Sequence, residues 1–98
     1  MSGDMDIRFF KDPETDLPHI YDHNVGELDV MDVLHSPLED RAGTEGSRVA
    51  IGQTRAGRYL RVIYRRDETG DGIFVITAYD LSANQLKALR RRQRRRPQ

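Results

Sequence analysis

Ser47-Arg-Val-Ala-Ile-Gly-Gln-Thr54, Arg58-Tyr-Leu-Arg-Val-Ile-Tyr-Arg-Arg66 and Ile73-Phe-Val-Ile-Thr-Ala-Tyr79 are the runs on which the fold turns. All three are rich in Val, Ile, Thr, Tyr and Phe and close to strand length. Arg55-Ala56-Gly57 between the first two is a short hairpin loop, with Gly for the left-handed position. Asp67 to Gly72 is a polar turn cluster carrying two glycines. Strands joined this closely form an antiparallel meander, and the remaining chain must pack against it.

Alternation along the central run puts Leu60, Val62 and Tyr64 on one face and Tyr59, Arg61, Ile63 and Arg65 on the other. The third run splits into Phe74, Ile76, Ala78 and Ile73, Val75, Thr77, Tyr79, apolar on both sides. A face of arginines and tyrosines suits a phosphodiester. An ordinary solvent-facing strand side is the simpler reading.

Ahead of the meander, Ile7-Arg-Phe-Phe10 is a short strand candidate for one edge of the sheet. Leu17 to His23, interrupted by Pro18, allows a short helical turn. Asn24 to His35 reads as an acidic helix: Asn24 with Glu27 resembles a capping box, and Leu28, Val30, Met31, Val33 and Leu34 form its apolar face. Pro37 ends it, and Leu38 to Gly46 reads as an exposed loop. After the meander, Ser82 and Gln85 form a capping box, with Leu81 and Leu86 as its hydrophobic staple. Leu86 and Leu89 anchor that helix. Arg90 to Arg96 then carries six arginines in seven positions, so this end is expected to project or fray.

The chain has 98 residues, 37% hydrophobic and 33% charged, which bounds it to one small domain. It has no cysteine, which excludes disulfides, zinc–thiolate sites and a cysteine nucleophile. No apolar run reaches the ~18 residues of a membrane span. The acidic start lacks the basic and apolar regions of a signal peptide, so the cytoplasm is the expected compartment. A net charge of zero hides a division. Residues 1–46 hold twelve acids against three bases, and residues 47–98 hold four against thirteen. The basic half can meet nucleic acid or an acidic protein. Of the histidines His19, His23 and His35, the first two stand four apart, but Pro18 and the lack of further ligands argue against a metal site.

The order of these elements resembles the BrnT family of type II toxins, within the wider RelE/ParE-like group. The matching words are His23-Asn24-Val25, where the family reads His-Gly-Val, the helix running to Ser36-Pro37, Ala50-Ile-Gly-Gln-Thr54 and Gly57-Arg-Tyr-Leu-Arg-Val-Ile-Tyr64. Ile76-Thr-Ala-Tyr79 sits where the family tends to read Ile-Ser-Ala-Arg. The resemblance runs from about Ile7 to Leu89. It implies a RelE-like α+β domain over 1–89: an antiparallel three- to four-stranded sheet, a packed acidic helix and a basic C-terminal helix, with 90–98 as an arginine-rich tail. It also implies a metal-independent endoribonuclease toxin without cofactors, acting on RNA through 2′-hydroxyl attack and paired with a cognate antitoxin protein.

On that reading Arg58 and Arg61 are the candidate phosphate clamps; strict alternation puts them on opposite faces, so only one serves, and Arg61 is preferred because it shares a face with Tyr59. Tyr79 donates a proton or hydrogen bond, and His23 is the acid/base candidate. Arg65, Arg90, Arg91, Arg92, Arg94, Arg95 and Arg96 are the expected RNA-binding residues. The arginine run itself is similar to the basic RNA-binding segment of retroviral Tat transactivators, a local match. The alternative is a non-catalytic RNA-binding or protein-interaction module using the basic C-terminal helix.

Overall fold

A computed structural model describes residues 6–95. The fold is α+β: strands β1 (Asp6–Phe9), β2 (Glu39–Ala42), β3 (Arg48–Gln53), β4 (Tyr59–Arg66) and β5 (Gly72–Asp80), with helices α1 (Glu27–His35) and α2 (Ala83–Arg95). Short 3-10 turns cover His19–His23 and Thr44–Gly46. The five strands lie in one sheet in the order β1-β5-β4-β3-β2. The meander β3-β4-β5 is antiparallel, as expected. The sheet as a whole is larger and mixed, because β1 joins the edge of β5 in parallel, Ile7 opposite Ile73 and Phe9 opposite Val75.

The second departure is β2. Glu-Asp-Arg-Ala has no apolar alternation, and the sequence suggested a loop there. Backbone pairing to β3 makes it a strand, Glu39 opposite Ile51 and Asp40 opposite Ala50. A short, charged strand suits a sheet edge, where it discourages pairing with other chains.

The sheet has two covered faces. Leu60, Val62 and Tyr64 of β4 are buried with Ala50, Val75 and Ala78 under α1 and the 3-10 turn. From α1 come Val30 and Val33, and from the turn Ile20. Gly52 permits this approach: a Cβ there would lie 3.2 Å from Val33 Cγ1. The helix starts later than the Asn24 box suggested. Asn24 is left-handed (φ 58°) and closes the 3-10 turn, and the Asp29 carboxylate accepts from Gly26 N–H at 3.0 Å instead. Leu28 consequently faces solvent, 76% exposed.

The other face is closed by α2, which overturns the reading of Tyr59, Arg61 and Ile63 as a solvent-facing strand side. Leu89 is fully buried against Val49 and Ile51, with Leu81, Leu86, Tyr59 and Ile63 packed around them. The capping box forms as read: Gln85 N–H donates to Ser82 Oγ at 3.1 Å, and Ser82 N–H to Gln85 Oε1 at 2.9 Å. The helix continues across residues 89 and 90 to Arg95.

Strict alternation fails on β5. Ile63 pairs with Thr77 but Tyr64 pairs with Val75, leaving Ile76 unmatched in a bulge. The extra residue reverses the side-chain parity. Ile73 and Val75 therefore join Ala78 in the α1 core, while the register keeps Thr77 and Tyr79 on the α2 side.

Candidate functional site

Directly opposed residues on antiparallel strands carry their Cβ atoms to the same face, about 5 Å apart. The register opposes Glu39 to Ile51, Ile51 to Arg61, and Arg61 to Tyr79. One row, Glu39–Ile51–Arg61–Tyr79, thus crosses four strands beneath α2. Between this row and the helix lies a pocket of about 90 Å³. Its polar lining is Arg41 from β2, Arg61 from β4 and Gln85 and Arg92 from α2, and its apolar wall is Ile51, Leu81 and Ala88.

The charges in this pocket are unequal. Glu39 answers Arg92, whose Nε and Nη2 donate to Oε2 and Oε1 at 2.7 and 2.9 Å. That carboxylate holds the Arg92 pKa above its ordinary value. Arg41 Nη1 is 3.9 Å from Glu39 Oε1, at the limit of an ion pair. Arg61 Nε is buried and has no hydrogen-bond partner among the described residues; nor has Thr77 Oγ1 on the same side of β5. Buried polar atoms are nearly always bonded, so an orphan donor marks a place for a missing acceptor. Guanidinium groups present planar, charge-assisted donors that match phosphate or carboxylate oxygens. The pocket can therefore hold an anion.

Tyr79 extends the row towards the 3-10 turn. Its ring meets His23 edge-on, centroids 5.8 Å apart, and His23 meets His19 at 5.4 Å. Arg58 lies elsewhere. Its Nε and Nη2 donate to Asp80 Oδ1 and Oδ2 at 3.1 and 3.0 Å, and its Nη1 donates to Asn24 O at 2.8 Å. Asp80 follows Tyr79 and Asn24 follows His23, so Arg58 clamps the two segments that bring those rings together. The Asp80 hydrogen bonds raise the Arg58 pKa. The register thus sets Tyr79 opposite Arg61 and the rings set it beside His23, but neither Tyr79 nor His23 lines the Arg61 pocket, and Arg58 braces the segments that carry those two rings.

The expected RNA-binding arginines divide. Arg92 turns inward to Glu39, and Arg90 sits over the Tyr59 ring at 6.0 Å. Arg91, Arg94 and Arg95 are exposed on α2, and Arg65 is exposed on β4. Arg96 lies outside the described residues. The sequence reading missed Arg41 and Glu39, because both sit in the segment it took for a loop. It also discounted His19 as a metal ligand for want of further ligands, and the fold places Asp12 and Asp22 beside it. A wider groove of about 700 Å³ runs along α1 past Leu28, Met31, Asp32 and His35. Its lining mixes the acids Asp29 and Asp32 with Arg55 and His35, and Arg55 is paired with Asp32, unlike the arginine-rich pocket under α2.

Among the described residues no helix is long and apolar enough to cross a membrane. No protein-family model matches the chain, and neither a curated protein nor a solved structure matches it.

Proposed function

We propose that the protein is an RNA-cleaving toxin of the BrnT/RelE-like kind, holding the scissile phosphate at Arg61. One observation carries the reading: arginines from β2, β4 and α2 converge on a single pocket, and Arg61, which lines it, has a buried Nε without a partner among the described residues. The order strand, turn, helix, meander, helix that suggested the family is kept, with β2 inserted between α1 and the meander, and it supports the RelE-like reading of the fold. A cognate antitoxin would be the second partner.

In the proposed reaction the RNA 2′-oxygen attacks phosphorus while its proton passes to a base. The 5′-oxygen leaves and takes a proton, giving a 2′,3′-cyclic phosphate and a 5′-hydroxyl. Arg61 offsets the charge gathering on the phosphoryl oxygens, which is often the largest contribution to such a rate. His23 is the base, since imidazole is the side-chain type suited to proton transfer near neutrality. Tyr79, between Arg61 and His23, supplies the proton to the leaving oxygen.

The test is cleavage of end-labelled RNA by purified protein, with and without EDTA, beside Arg61→Ala. EDTA-resistant cleavage that disappears in a folded Arg61→Ala protein is expected. Equal cleavage by that variant would remove the proposed site.

A second reading rests on α2. Arg91, Arg94 and Arg95 stand exposed and without a partner among the described residues. A module that binds RNA without cutting it would use these groups. It would lose affinity in a chain ending at Leu89 and keep it in Arg61→Ala.

A further inference from the structure

The segment before α1 folds into a small cage of its own. His19 N–H donates to Phe10 O at 2.9 Å, and Asp12 N–H to Leu17 O at 2.9 Å. A bridge between Lys11 and Pro18 lies between these bonds. This closure brings Asp12 beside His19. Pro18 does not break the structure here but caps the 3-10 turn that begins at His19. Residues three apart eclipse each other on a 3-10 helix, so Asp22 comes to stand over His19. Three donor groups from two sides of the loop then lie within 4.8 Å of one another.

Their distances decide what they are for. His19 Nδ1 is 3.3 and 3.4 Å from the two Asp12 oxygens and 3.4 Å from Asp22 Oδ2. Those to Asp12 are hydrogen-bond contacts, longer than a charge-assisted N–H to carboxylate bond of about 2.7–2.9 Å. Zinc bonds of about 2.0–2.2 Å to nitrogen and oxygen place neighbouring tetrahedral ligands about 3.4 Å apart. The His19–Asp12 and His19–Asp22 separations match that spacing, and all three donor atoms lie within 4.8 Å of one another. No Lys or Arg among the described residues pairs with either carboxylate, so His19 alone faces both.

We propose that Asp12, His19 and Asp22 form a structural site for a divalent first-row cation of the zinc class. One imidazole and two carboxylates are a mixed nitrogen and oxygen donor set that such ions accept. Asp22 is the most exposed of the three, with 61% of its side chain open, and leaves room for water as a further ligand. The ion would fasten the loop that carries His23 to Tyr79. It takes no part in the cleavage proposed at Arg61, and the site stands whether or not that proposal holds.

The experiment is titration of the full chain with zinc chloride, followed by calorimetry, melting temperature and the imidazole NMR signals, and repeated with cobalt for its visible absorption. One ion per chain is expected, with a rising melting temperature and movement of the His19 ring signals but not those of His35. Asp22→Asn, at an exposed position that leaves the fold intact, should weaken binding at least tenfold, and His19→Gln should abolish it. Arg61→Met should bind zinc like the parent. Absence of saturable one-to-one uptake would overturn the proposal, as would uptake that survives both His19→Gln and Asp22→Asn.

Discussion

The Arg58 guanidinium lies fork to fork on the Asp80 carboxylate, at 3.1 and 3.0 Å, and its third hydrogen bond holds Asn24 O at 2.8 Å. One side chain thus ties the end of β5 to the 3-10 turn. The residues it grips are the neighbours of Tyr79 and His23, whose rings touch. Removing it should act on stability and on ring placement together. Hydrogen bonds to charged groups contribute about 1.5–3 kcal/mol each when made well, and less at a partly exposed site. Arg58→Ala should therefore cost about 2 kcal/mol, read as a lower urea midpoint. Its cleavage should fall through the turnover rate more than through RNA affinity. A variant with unchanged stability would show that the clamp does not form in solution.

Arg61 should behave in the opposite way. Its buried Nε has no partner among the described residues, and an unsatisfied buried donor costs about 1–3 kcal/mol. Arg61→Met fills the same space without that donor. It should stabilise the fold by about 1 kcal/mol in urea unfolding while lowering cleavage by roughly 10²-fold or more. Gain of stability with loss of function is the signature expected of a residue kept for its ligand.

The salt dependence of RNA binding gives a count of free arginines. Each phosphate neutralised on single-stranded RNA contributes about −0.7 to the slope of log affinity against log salt. Six arginines of the run would give roughly −4. Among the described residues Arg92 is answered by Glu39, whereas Arg90, Arg91, Arg94, Arg95 and Arg61 keep their charge uncompensated and give roughly −3.5. Arg94→Ala should reduce the slope by about 0.7, and Arg92→Ala should leave it nearly unchanged. Binding measured at several salt concentrations distinguishes the two patterns.

Tyr64 couples stability to alkaline pH. Burial raises its pKa above the ordinary 10.0, and the hydrogen bond from its hydroxyl to Asp40 raises it further. The folded protein therefore holds this proton more tightly than the unfolded chain. The resulting stabilisation is whole below pH 10.0 and is lost as pH rises through the folded value. Unfolding measured along an alkaline series should show a falling limb above about pH 10, and Tyr64→Phe should flatten it.

Much of this architecture was legible because local signals agreed with the packing. The meander, the Ser82–Gln85 box and the buried Leu89 each follow from period or capping chemistry. What was hidden depended on pairing between distant segments. Glu39–Ala42 has no strand pattern of its own and becomes a strand because β3 offers it an edge. The bulge at Ile76 leaves no mark in an apolar run, yet it decides which side chains of β5 face α1. At the site, Arg61 was visible from its place on β4. Arg41 was not, since its strand was not, and Arg92 looked like one charge among many until α2 brought it to Glu39. Asp12, His19 and Asp22 escaped for a related reason: a loop closure and a 3-10 turn, rather than one helix face, bring them together.

The parallel seam between β1 and β5 has a bearing on how the chain is made. Ile7 needs Ile73 as its neighbour, and the meander that supplies it lies near the other end of the sequence. Hairpins form within microseconds once their residues are present, whereas synthesis adds about 5–20 residues per second. On the ribosome the opening segment must wait, unpaired, for seconds until the fifth strand has left the exit tunnel. Its charges, Asp6 and Arg8 beside Ile7 and Phe9, keep that waiting segment from collecting other chains in the interval.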